Sequence, residues 1–201
     1  MRLLVTLVLL LLSYSSYGAD ERYVNNIQPQ YFDEEVNRLK TADASIDYNA
    51  EKDEFTIYFY EGMYVVGLRL SRSAADSLIA MIDKYESWNK KATVKAVTLD
   101  KEIAKVHTGY TFWRLGNSPW RVGRSVDLSL HFYSQSAKHH QLVFVIPKLQ
   151  SIDNQYINYH PKEPHFDLEQ AISLRDYFDR DNVIAFVRQK QKQADIDAEF
   201  N

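Results

Sequence analysis

The chain has no cysteine, only six glycines and five prolines, and no surplus of positive charge. Each shortage removes a class of chemistry. Without cysteine there are no disulfides, no thiolate metal sites, no cysteine nucleophile and no lipid attachment through an N-terminal cysteine. Six scattered glycines form no phosphate-cradling loop, and no Gly-x-Ser-x-Gly elbow occurs. Basic residues number 24 against 27 acidic ones, a net charge of −3, so the chain lacks the electrostatic footprint of a nucleic-acid binder. No usable Asn-x-Ser/Thr sequon is present, because Asn117-Ser118 runs into Pro119.

Long apolar runs are also missing, with one short exception at the start. Met1 and Arg2 begin a positive end, Leu3 to Leu12 is apolar except for Thr6, and Ser13 to Ala19 is small and polar. That order is the pattern of a secretory signal. A run of about ten residues is half the length that spans a bilayer. Cleavage after Gly18 places Ser16 and Gly18 at the two small-residue positions, whereas cleavage after Ala19 places Tyr17 there. The expectation is a signal peptide over 1–18 and one globular domain over 19–201, with no integral membrane segment after cleavage. Loss of Arg2 leaves 23 basic against 27 acidic residues, or −4. A domain of this size buries enough surface to fold without crosslinks.

Aromatics are abundant, with 14 tyrosines, and most fall in strand-like runs. Residues 19–50 are polar, and the spacing of Tyr31, Phe32, Val36 and Leu39 predicts a short helix near Asp33 to Lys40. Alternation over Phe55–Tyr60 and Met63–Leu70, around a Glu61-Gly62 link, predicts a hairpin with Val66, Leu68 and Leu70 on one face. Ser71 or Ser73 then caps a helix whose stripe is Ala74, Leu78, Met81, Tyr85, Trp88 and Ala92.

Strand patterns resume at Ile103. Ala104, Val106, Thr108, Tyr110 and Phe112 share one face, as do Trp120, Val122, Arg124, Val126, Leu128, Leu130 and Phe132. A three-residue loop, Leu115 to Asn117, would pair Phe112 with Trp120, Tyr110 with Val122 and Val106 with Val126, keeping one apolar face. Leu142 to Ile146 reads as a strand covered on both sides. A long connection over 150–166 follows, then a helix capped by Asp167 and another starting near Asp181 or Asn182, with a fraying polar end past Arg188. The order predicts an α+β fold: an antiparallel sheet, hairpin plus three-strand meander, with helices packed on one face.

Three constellations carry candidate chemistry. His160, Glu163 and His165 offer two imidazoles and a carboxylate, ligand types that zinc or copper accepts, with His107 or His131 as a third imidazole from elsewhere. Two prolines, Pro161 and Pro164, deny that segment a helical geometry, and solvated loop residues are the simpler account of it. Trp113 and Arg121, beside Arg114, Trp120 and Arg124, have the composition of an interface hot spot if Trp113 is exposed. Arg stacked on Trp explains the same residues structurally. Tyr156 and Tyr159 in the long connection complete a ligand- or partner-binding set. The acidic cluster Asp176, Asp179, Asp181 and Asn182 is explained by helix capping, since it lacks the glycine and distant glutamate of a calcium loop.

No cofactor is implied. The reading is an exported, non-catalytic binding or interaction protein of the bacterial envelope, its partner a protein or a small ligand. The rivals are an exported hydrolase that gathers Asp, Glu or His from separate elements, and a metal-binding periplasmic protein.

Overall fold

A computed structural model describes residues 20–34 and 36–200. The signal peptide read over 1–18 lies outside the described residues. Fourteen strands and three helices build the described chain, and all sheet pairing is antiparallel. The α+β class and its antiparallel pairing are those expected. The single sheet is not: there are two six-stranded sheets and a two-stranded ribbon.

The first sheet has the order β1-β4-β5-β6-β8-β9, from Glu21–Ile27 (β1), Ala44–Asn49 (β4), Glu54–Glu61 (β5), Tyr64–Ser71 (β6), Thr111–Leu115 (β8) and Arg121–Gly123 (β9). The second has the order β3-β2-β14-β11-β10-β7, from Gln30–Asp33 (β2), Arg38–Thr41 (β3), Asp100–His107 (β7), Asp127–Ser136 (β10), His139–Val145 (β11) and His165–Phe166 (β14). Leu149–Gln150 (β12) and Asn158–Tyr159 (β13) form the ribbon.

The core lies between the sheets. Phe55, Ile57 and Phe59 of β5 and Val66, Leu68 and Leu70 of β6 are fully buried, as the alternation requires. Leu128, Leu130 and Phe132 of β10 and Leu142 and Phe144 of β11 bury the facing row. Phe59 meets Phe144 edge-on across the sheets at 6.3 Å. The helix Arg72–Lys95 (α1) starts at Ser71, whose hydroxyl accepts from Ala74 N, and buries Ala74, Leu78, Met81, Tyr85 and Ala92 from the expected stripe. It touches β5 and β6 of one sheet and β7, β10 and β11 of the other. Tyr85 packs on Phe132 at 5.7 Å and donates to the His140 carbonyl at 2.9 Å. Leu168–Phe178 (α2) starts at Asp167 with a full capping box, and Phe178 closes on Phe55 at 5.1 Å.

Several sequence expectations are corrected. The helix near Asp33–Lys40 is a hairpin of β2 and β3. Its three- and four-residue apolar spacing arises because Phe32 pairs with Leu39 across the strands, while Asn37 takes φ 50° in the turn. The β5–β6 link is Gly62-Met63, since Glu61 pairs with Tyr64. The strands read as continuous over 103–112 and 120–132 each change sheet midway. The chain passes from β7 to β8 at 108–110 and from β9 to β10 at 124–126. Thr108 binds both the amide and the carbonyl of Val126 at 3.0 Å and so ties the two crossings together.

Within β8 and β9, Phe112 pairs with Val122 and Trp113 with Arg121, two residues away from the expected register. Gly116, not Asn117, takes the left-handed conformation. The core face is then the other one: Thr111, Trp113 and Gly123 point inward and Phe112 outward. Val106 pairs with Leu128, and a bulge at Ile103 lets both Ile103 and Val106 reach the core. Finally, the last helix, Arg180–Glu199 (α3), begins one cap earlier, at Asp179, and continues past Arg188 as an exposed helix.

Candidate functional site

The outward face of the second sheet carries a cleft of 750 Å³. Its floor follows from pairing register. His131 of β10 pairs with Val143 of β11, Val143 with His165 of β14, and His165 with Gln30 of β2. One row across four strands therefore reads His–Val–His–Gln, with a valine between two imidazoles. Strands are spaced about 4.8 Å apart, which sets the two histidine backbones about 10 Å from each other. Val145 and Tyr133 flank the row, and Phe32 and Leu39 of the β2–β3 hairpin wall one side. Both sheets expose residues of this parity outward because the opposite parity fills the core.

The polar groups are held at defined angles. Gln141 Oε1 can only accept, so His165 Nδ1 donates to it at 3.1 Å, and Gln141 Nε2 donates to Gln30 Oε1 at 3.1 Å. The Tyr133 ring stands edge-on to His165 at 5.8 Å. Burial pushes the His165 pKa down, so its imidazole is neutral at pH 7 and its Nε2 is an acceptor. His131 lies 3.6 Å from Asp100 and 3.9 Å from Glu102, a loose acidic surround. Arg38 and Glu163 also line the cleft, and neither has an ion pair among the described residues. The cleft thus offers the Arg38 guanidinium and two carboxylates, Glu163 and the Asp100 that neighbours His131, beside an apolar floor.

A buried carboxylate fixes the segment that delivers Glu163 and His165. Glu61 continues the inward row Phe55, Ile57, Phe59 and is only 7% exposed. Its Oε2 accepts from Tyr159 Oη at 2.6 Å and from Lys162 N at 3.0 Å. Tyr159 also stacks on Tyr64 at 4.2 Å. Burial pushes the Glu61 pKa up, against the lowering pull of those two hydrogen bonds. Glu61 Oε1 and the hydroxyl of Tyr31 are buried with no partner. The Tyr159 hydroxyl is pushed far up by burial and by the neighbouring carboxylate.

The residues singled out from sequence separate. Glu163 and His165 come together at the cleft, joined by His131, while His160 is exposed and does not line it. His107 is exposed and bonds Asp127 at 2.9 Å. Among the described residues no group of three His, Asp or Glu is placed to hold a metal ion. Trp113, expected to be exposed, is 3% exposed and belongs to the core, because the chain changes sheet just before it. Arg121 is exposed on the edge strand β9. Tyr156 is exposed, and Tyr159 is half-buried as the partner of Glu61. Asp179 caps α3 through Asp181 N and Asn182 N.

Sequence reading missed Phe32, Arg38 and Leu39, which were assigned to a helix, and Glu61, which was assigned to a turn. An acid on the core parity of the Phe55-Ile57-Phe59 row was the legible signal for Glu61. No known protein family, curated protein or solved structure matches the chain.

Proposed function

We propose that this chain is an exported, non-catalytic binding protein of the bacterial envelope and that the outward cleft of the second sheet takes a short apolar peptide. The cleft carries this reading. Its volume suits a small ligand, its floor is Val143 and Val145, and it presents both an unmatched guanidinium, Arg38, and an unmatched carboxylate, Glu163. A peptide with free termini supplies the complementary carboxylate and ammonium around an apolar body. The neutral imidazole of His165 adds a fixed hydrogen-bond acceptor for a backbone N–H. Export rests on the three-zone start of the sequence.

Titration of the protein with apolar tripeptides, followed by NMR, tests the site. Saturable binding by the wild type is expected, with a weakening of about tenfold in Arg38→Gln or when the peptide C-terminus is amidated, the loss of one charge-assisted contact. Phe32→Ala and Tyr133→Ala should weaken it without changing the fold. Absence of binding, or equal binding by all variants, refutes the site. Cell fractionation with mass analysis tests export: a chain beginning at Ala19 outside the cytoplasm supports it, and an uncleaved cytoplasmic chain refutes it.

A further inference from the structure

Two hairpin tips meet at one end of the first sheet. The Gly62-Met63 link lies beside the loop that joins β8 to β9, and Gly116 N donates to the Met63 carbonyl at 2.7 Å. Tyr64 pairs with Leu115, so the two tips form one continuous end. Apolar side chains point into solvent there: Met63 is 72% exposed, Leu115 43% and Trp120 40%. Singly, exposed apolar residues are ordinary. Here they are flanked by charge of one sign.

The charge is visible in the sequence and resolved by the fold. From Ile103 to Val126 there is no Asp or Glu, in a chain of net charge −3, and Arg114, Arg121 and Arg124 fall within that stretch. Arg114 lies over the Trp120 ring at 4.6 Å. Arg121 and Arg124 are exposed on and just after β9. Among the described residues none of the three has a carboxylate partner. The other arginines of this sheet are neutralised: Arg22 by Asp47 at 2.6 Å, and Arg69 by Asp20 at 2.7 Å. Glu61, the acid next to the tip in sequence, is turned into the core. Asp153, in the segment beside β9, forms no ion pair with these arginines.

We infer that this double tip is a peripheral docking surface for an anionic phospholipid bilayer. Aliphatic Met63 and Leu115 at the apex insert among acyl chains, Trp120 sits at the headgroup level, and Arg114, Arg121 and Arg124 meet lipid phosphates. Such binding needs an apolar and an electrostatic contribution together, and the tip supplies both. Tryptophan, apolar in its ring and polar at its N–H, suits the interface between the two layers. An acidic polysaccharide would satisfy the arginines, but it has no use for an exposed methionine and leucine at the apex. The inference stands apart from the cleft, which lies on the other sheet.

The absence of cysteine makes the test site-specific. Met63→Cys in the full chain is labelled with an environment-sensitive fluorophore, with Gln193→Cys in α3 as reference. Both are mixed with vesicles of phosphatidylglycerol and phosphatidylcholine, with phosphatidylcholine vesicles, and with polygalacturonate. Because the label reads only its own surroundings, attachment of the chain by its apolar start does not mimic the result. The expected result is a several-fold, blue-shifted rise at position 63 on phosphatidylglycerol vesicles alone, and none at 193. The triple variant Arg114→Gln, Arg121→Gln, Arg124→Gln, checked for unchanged circular dichroism, should lose about a hundred-fold in affinity, roughly one contribution per arginine. An unchanged label at 63, an equal rise on phosphatidylcholine or polygalacturonate, or an unaffected triple variant overturns the inference.

Discussion

Replacing Tyr159 by phenylalanine removes one oxygen and leaves the ring that stacks on Tyr64. The lost contact is the 2.6 Å donation to Glu61 Oε2, which then keeps only Lys162 N. A hydrogen bond to a buried charged group contributes about 2 kcal/mol, and one to its protonated form about 1 kcal/mol. Tyr159→Phe should therefore cost about 2 kcal/mol near neutral pH and about half of that in acid. The pH sense follows from Glu61. Burial raises its folded pKa above the ordinary 4.5, so over that interval the folded chain holds a proton that the unfolded chain releases. Stability from this group falls as pH rises through the interval and is regained as pH falls back toward 4.5.

Tyr159→Phe removes a bond that favours the charged form and so widens the interval upward. Glu61→Gln abolishes it: the amide oxygen can still accept from Tyr159, no charge is left to bury, and neutral stability should equal or exceed wild type. Urea unfolding of the wild type, both single variants and the double variant, at several pH values from about 4 to 8, reads all of this. The double-mutant coupling should be about 1–2 kcal/mol at neutral pH and should shrink in acid. The reasoning fails if Tyr159→Phe stays within about 0.5 kcal/mol of wild type throughout, or if its cost grows as pH falls.

Three further outcomes are expected. Gly123→Ala should destabilise by about 3 kcal/mol or more, because the new Cβ would lie 2.9 Å from the Trp113 ring, closer still to Thr111 Oγ1, and 3.2 Å from the Gln150 carbonyl. Thermal unfolding checks it, and a change under about 1 kcal/mol refutes the packing. Asp167→Ala should cost about 1 kcal/mol, since the capping box with Gln170 opens α2 at 2.8 and 2.9 Å. Urea midpoints measure that cost. His165, whose folded pKa is pushed below the ordinary 6.5 by burial, is stabilising above that value, and its contribution is lost as pH falls. His165→Gln should therefore reduce the loss of stability on mild acidification, an effect opposite in sign to that of Glu61, and an unchanged acid limb contradicts it.

Local patterns carried much of the fold. The alternation of β5 and β6, the stripe of α1 and its Ser71 cap, the position of the apolar β11 and the Asp167 cap were all legible. Each depends on residues a few positions apart. The β2–β3 hairpin was misread because cross-strand partners at a tight turn fall at helical spacing. Of the cleft, Glu163, His165 and His131 were noticed as titratable residues, but their assembly was not readable, since it needs β10, β11 and β14 to lie side by side.

By itself, then, the sequence determined the antiparallel α+β class, the absence of thiol chemistry and most element positions, because periodicity and capping act over a single turn or a single pleat. Only the tertiary structure decided which face of a strand is the core. Where the chain bends at Thr108 and near Arg124, the second half of each strand enters the other sheet, and the parity that held before the bend no longer applies after it. That is why Trp113 is core, Arg121 is surface, and the cleft lies across strands that are distant in the chain.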